Sequence, residues 1–174
     1  MKKVLYLLLL SVFSSLTISA QDSSIPETSL FKVENDAVIW QKIYDLNVSA
    51  KEYLTFIKLK NCLEGIDTVQ TTIIGKLKGF KPNTYGAARM SSPIYLFTAM
   101  IFADARIEIK ENKYRVTLSN IKATDGLGIV DFETLYFKML SKKTARPSFF
   151  KIDEPILNKN FDSFFEYKKI TSDF

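Results

Sequence analysis

Histidine is absent from this chain. With it go the commonest general base, the commonest zinc ligand and every Ser-His or Cys-His nucleophile pair. The side chains left for chemistry are carboxylates and one thiol. Asp104, Glu108, Asp125, Asp131 and Glu133 could in principle supply the acid and base of a secreted hydrolase that uses a carboxylate pair. Their spacing matches no catalytic constellation, however, and each reads more simply as a surface charge or a turn residue. No G-x-S-x-G, H-E-x-x-H or C-x-x-C occurs. Cys62 is the single cysteine, so no intramolecular disulfide framework exists. It reads as a small buried apolar residue, since nothing in the sequence provides a base to activate it. Gly75 and Gly79 lack the Gly-Lys-Ser/Thr of a phosphate loop. Inside a strand, such glycines usually mark a bulge or the close approach of another backbone. The composition points away from an enzyme and calls for no metal or cofactor.

What remains is recognition chemistry, and it sits beside one long alternating stretch. From Phe97 to Ile109 the odd positions are all apolar, while the even positions run Thr98, Met100, Phe102, Asp104, Arg106, Glu108, Lys110. This period of two predicts a strand with one buried face. Glu111-Asn112 suits a tight turn, because Asn tolerates positive φ. The implied register sets Lys110 against Lys113, Ile109 against Tyr114, Glu108 against Arg115, Ile107 against Val116 and Ala105 against Leu118. Helices are expected over the odd face, leaving the even face open with Met100 and Phe102 near one end. The segment from Lys81 to Pro93, with Tyr85, Arg89 and Met90, leads into that end. Met and Phe offer adaptable apolar area, Tyr85 adds a hydroxyl-bearing ring, and Arg89 can anchor an acidic group. The candidate binding residues are therefore Tyr85, Arg89, Met90, Met100 and Phe102. The simpler alternative is a loop that folds over the patch only to complete the core.

The other elements follow from pattern and punctuation. Ala37 to Leu46 alternates as a first strand. Ser49 and Glu52 form a capping-box pair that opens a helix running to Glu64, with Gly65 as its terminator. Asp67 to Phe80 reads as a second strand and Ile129 to Leu140 as the last, after an Asp125-Gly126 turn. Ser141 to Pro147 reads as a basic connection. A final helix is expected from near Asp153, with Pro155 in its first turn and an aromatic face of Phe161, Phe164 and Phe165. The order is β-α-β-β-β-β-α, an α+β fold with helices packed on one face of an antiparallel sheet.

Residues 1–20 read as a secretory signal peptide: Lys2 and Lys3, an apolar run from Val4 to Phe13, then small residues ending at Ala20. That run is short for a membrane span, and no cysteine follows it to carry a lipid. Cleavage after Ala20 lowers the formal charge of +5 by two, a modest value that marks no polyanion binder. Residues 21–35 read as a flexible N-terminal segment and 36–174 as a single domain. The expected product is soluble, periplasmic or extracellular, and free of transmembrane segments once cleaved.

The segments VIWQKIYDL, IIGKLKGF and ARIEIKENKYRVTLSNI together resemble a family of secreted Gram-negative bacterial proteins. That family is a domain of unknown function with a TATA-binding-protein-like fold. The resemblance, from about Asp36 to Ile170, implies a β-α-β4-α arrangement and transfers no catalytic residue. Without a twofold repeat or a basic concave face, no nucleic-acid partner is expected. The functional expectation is a binding or interaction module for an unknown protein, or a small apolar or amphipathic ligand, of the cell envelope.

Overall fold

The computed structural model describes residues 25–86, 93–124, 128–138 and 141–169. The expected signal peptide lies outside the described residues. The central hairpin forms as its pattern requires. Strand β5 (Met100–Lys110) and strand β6 (Lys113–Thr124) are joined by Glu111 and Asn112. Their register includes Ala105 with Leu118, Ile107 with Val116, Glu108 with Arg115, Ile109 with Tyr114 and Lys110 with Lys113. Glu111, not Asn112, takes the positive φ of 54°. The strand begins later than the alternation suggests. Residues Tyr95–Thr98 form a short helix, α2, started by Leu96 N–H donating to Pro93 O at 3.1 Å.

Ahead of the hairpin, β2 (Ala37–Asp45) pairs with β6. It also carries a neighbour that the polar sequence conceals. Phe31–Glu34 form β1, so part of the segment 21–35 is a strand whose Phe31 is fully buried. Helix α1 spans Ala50–Lys60. Ser49 Oγ accepts from Glu52 N–H at 3.2 Å, as a capping residue does. The helix stops at Asn61, which takes the left-handed conformation with φ 49°, so Gly65 is not its terminator. Gly65 (φ 59°) instead sits where the register of β3 slips between Glu64 and Asp67. Cys62 lies beyond the helix and is buried; burial pushes its thiol pKa up.

The expected second strand is in fact a hairpin. β3 (Leu63–Val69) turns at Gln70 and Thr71 into β4 (Thr72–Phe80). The last expected strand is likewise broken. β7 (Ile129–Asp131) leads to helix α3 (Phe132–Tyr136) and then to β8 (Phe137–Lys138). Phe132 and Tyr136, four residues apart, share the inward helix face and are fully buried. The expected basic connection contains β9 (Ser141–Ala145), which pairs with β8. A π-helical turn, Phe149–Asp153, precedes the final helix α4 (Glu154–Phe165), with Pro155 in its first turn.

The described strands form a seven-stranded antiparallel sheet ordered β1-β2-β6-β5-β4-β3, with β7 also on β6, and a separate β8-β9 pair. The fold is α+β, with helices packed on one face of the sheet. The element order is not the expected β-α-β-β-β-β-α, although four strands do follow α1 as a meander within the sheet. They are β3 to β6 rather than the four read from sequence, because the second expected strand is two and the last lies beside the meander.

The core joins the odd face of β5 to the helices. Tyr53 of α1 packs on Tyr114 of β6, ring centroids 4.2 Å apart, and Phe161 of α4 on Trp40 of β2 at 5.0 Å. Both tyrosine hydroxyls, Tyr53 and Tyr114, donate to Phe165 O at 3.0 and 2.8 Å. Phe165 ends α4, so its carbonyl has no partner within the helix. Asp162, one turn earlier, accepts from Lys42 Nζ at 2.7 Å and from Tyr44 hydroxyl at 2.7 Å.

Ile107 is fully buried, whereas Glu108 beside it is paired with exposed Arg115. Ile107→Asp is expected to unfold the domain, because an unpaired buried carboxylate costs on the order of several kcal/mol. Glu108→Ala should cost less than about 1 kcal/mol. Urea melts compare them, and a more severe Glu108→Ala would invert the assignment of faces.

Candidate functional site

Strand register decides which side chains share the open face, because even positions of β5 point away from the helices. Next to Asp104, Arg106 and Glu108 that face is charged and internally paired. Arg115 donates to Glu108 Oε2 from Nε at 3.0 Å and Nη2 at 2.7 Å, and Arg106 Nη2 donates to Oε1 at 3.1 Å. The hydrogen bonds from Arg115 hold the Glu108 carboxyl below the usual carboxylate range. Asn120 Nδ2 donates to Asp104 Oδ2 at 3.1 Å. Glu108 with Arg115 and Asp104 with Asn120 are cross-strand pairs, Arg106 with Glu108 runs along β5, and all lie on a solvated surface.

Towards the start of β5 the face turns apolar. Met100 is 44% exposed and Phe102 38%. Register places Met100 opposite Thr124, and Thr124 opposite Ile129 of β7, which is 71% exposed. Ile129 was not among the residues expected here. Its membership comes from strand pairing, which a run of three residues does not announce. Across the adjoining row, Lys122 faces Asp131 with 3.8 Å between charged atoms.

Phe102 does not stand free over this patch. A Cβ built on Gly79 of β4 would collide with the Phe102 ring and come within 3.1 Å of the Met100 methyl. The glycine is therefore the floor on which the ring lies, so at Gly79 the close neighbour is a side chain rather than the backbone expected from its place in a strand. Gly75 is the second such position: a Cβ there would meet Glu64 O at 3.2 Å.

Phe80, the next residue after Gly79, turns the other way, its ring packing on Phe161 and Phe164 at 5.9 and 4.9 Å. The chain then follows α4. Asn83 N–H donates to Asn160 Oδ1 at 2.8 Å, and Asn160 Nδ2 donates back to Asn83 O at 2.9 Å. Tyr85 hydroxyl donates to Lys159 O at 3.3 Å, and Lys159 Nζ lies 5.2 Å from the centre of its ring. Tyr85 is thus held against the helical layer, on the opposite side of the sheet from Met100 and Phe102. Arg89 and Met90 lie outside the described residues.

The carboxylates considered for hydrolysis have structural partners. Glu108, Asp104 and Asp131 are paired as above, and Glu133 accepts from Val38 N–H at 2.8 Å. Asp125 lies outside the described residues. Among the described residues, no three His, Cys, Asp or Glu side chains gather so as to hold a metal ion. No helix among them is long and apolar enough to cross a membrane.

The architecture is an open-faced antiparallel α+β module. No protein-family model matches the chain, and no curated protein matches it. Among solved structures it is similar to a TBP-like protein from Parabacteroides distasonis. The two share 14% identity and a TM-score of 0.48, over 78% of this chain and 94% of that one. It is also similar to a DUF4468 family protein from Bacteroides ovatus, with 12% identity and a TM-score of 0.48, over 82% of this chain and 94% of that one.

Gly79→Ala is expected to displace the Phe102 ring, because the overlapping atoms are the movable end of a side chain. The cost should be about 1–3 kcal/mol. Adding Phe102→Ala should recover at least about 0.5 kcal/mol of it, as coupled neighbours do. A double-mutant cycle in urea measures this, and strict additivity would refute the contact.

Proposed function

We propose that this chain is an exported, non-enzymatic binding module whose contact surface is the apolar end of its open sheet face. The observation that carries this reading is the exposure of Met100, Phe102 and Ile129 on one side of the sheet. The charges farther along the same face satisfy one another and leave less to offer a partner. An apolar patch rimmed by polar residues is a common feature of contact surfaces. Its partner is a protein, or a small apolar or amphipathic ligand, of the cell envelope. The protein acts in the periplasm or outside the cell, after removal of residues 1–20.

Two measurements test the reading. Mass spectrometry of the periplasmic or culture fraction should find a chain starting at Gln21. Recovery of the full-length chain only from membranes would refute cleavage. For the surface, purified protein is mixed with extract of its own cell envelope, beside a Met100→Ser, Phe102→Ser variant shown to be folded. Loss of a captured partner or lipid in the variant is the expected result. Capture of the same component by both proteins, or of nothing by either, would reject this surface.

A further inference from the structure

Strand register also decides which backbone groups face outward at the two ends of the large sheet, where β1 and β3 are the last described strands. In an antiparallel pair, residues that bond the neighbouring strand alternate with residues whose N–H and C=O point away from it. Gln70-Thr71 is a two-residue turn, which makes Val69 and Thr72 a hydrogen-bonded pair. Thr68, paired with Ile73, therefore turns its N–H and C=O to the open edge. That N–H is already taken: it donates to Asp67 Oδ1 at 2.8 Å. The turn at Asn35-Asp36 sets the alternation of β1 in the same way, and there Phe31 faces outward. Its N–H donates to Ser29 Oγ at 3.1 Å. At both ends of the sheet, a side chain nearby in sequence occupies a donor that an added strand would need.

The β1 edge is only four residues long. β3 has seven, and Asp67, Thr68 and Val69 are exposed, so β3 is the edge at risk of pairing with another chain. Its β-branched Thr68 and Val69 favour an extended partner. Two features besides the Asp67 bond oppose one. The bulge at Gly65 breaks the ladder between Glu64 and Asp67. The charged residues of the strand, Glu64 and Asp67, are both acidic. A second β3 laid antiparallel about Thr68 would exchange Thr68 N–H and C=O between the copies. Asp67 would then lie across from Val69 of the other copy, with the two Asp67 carboxylates on one diagonal.

We propose that Asp67 guards the β3 edge: by accepting from Thr68 N–H it keeps that edge from adding the β3 of a second copy. The acceptor matters more than the charge, because an outward N–H left unpaired is what templates strand addition. The sheet ends at β3 for this reason, and the edge is held closed from within the strand itself. This role does not depend on whether Met100 and Phe102 bind a partner, since β4 separates β3 from β5.

Light scattering on gel-filtered protein tests it, with circular dichroism to show that each variant is folded. Asp67→Val, which has no acceptor, should double the mass found for the unaltered protein. Asp67→Asn, which keeps an acceptor and loses the charge, should leave the mass unchanged. In Asp67→Val, Thr68→Pro the outward N–H is gone, a change that an edge strand tolerates, and the mass should return to that of the unaltered protein. No doubling in Asp67→Val, equal doubling in Asp67→Asn, or doubling that persists in the double variant would each overturn the proposal. Amide hydrogen exchange of the unaltered protein gives a reading that needs no variant. The Thr68 amide should exchange several-fold more slowly than its intrinsic rate, and exchange at the intrinsic rate would refute the guard.

Discussion

The last carbonyl of α4 is the point on which the two layers agree. A helix end turned into a protein interior must find donors for its final carbonyls or lose more than a single hydrogen bond is worth. Phe165 O finds two, the hydroxyls of Tyr53 from α1 and Tyr114 from β6. Tyr114 is used twice, since its oxygen also accepts from Tyr167 N–H at 3.0 Å. One atom therefore sets the distance between both main helices and the middle of the sheet. The rings that deliver the hydroxyls fill the space around it. Burial holds the Tyr53 hydroxyl far above the ordinary tyrosine range and the Tyr114 hydroxyl at about 12. Both remain donors under any physiological condition.

With one face of the sheet committed in this way, everything the protein can offer in the other direction depends on strand register. Even positions of β5 and their partners on β4, β6 and β7 make a surface that is self-paired at one end and apolar at the other. The boundary is set by residue type, Asp104 being the first charged side chain after Phe102. Gly79 lets Phe102 lie down on the sheet instead of projecting from it, so the patch is broad and low. A low apolar surface suits another extended surface better than a small molecule that needs enclosure on several sides.

Much of this frame was legible in the sequence. The β5-β6 register could be derived because thirteen alternating positions and a two-residue turn leave one pairing that keeps the faces distinct. The start of α1 was legible because Ser49 does locally what an N-cap does. The errors have equally local causes. Gln70-Thr71 turns β3 into β4 with neither Gly nor Asn, Gln70 itself taking a φ of 54°, so nothing announced two strands. Leu135, Phe137 and Met139 alternate by coincidence, whereas the spacing of Phe132 and Tyr136 decides for a helix. β1 alternates over only four residues, Phe31 and Val33 against Lys32 and Glu34, and the chain just ahead of it is held by Glu154, far away in the sequence. The candidate surface was half legible: Met100 and Phe102 from alternation, Ile129 only from pairing. Tyr85 was placed by nearness in sequence, and its anchor on Lys159 is a tertiary fact.

The bond from Ser29 Oγ to Glu154 spans 125 residues, and it is one of a set. Trp40, Lys42 and Tyr44 also reach α4, across 118 to 120 positions, and Tyr53 across 112. The earliest strands thus complete their polar contacts only with the last helix. A chain that emerges N-terminus first, from a ribosome or a narrow membrane channel, can assemble its meander but cannot cap it until nearly all its length is free. Contacts that close such long loops must wait on the last helix and slow the completion of the fold.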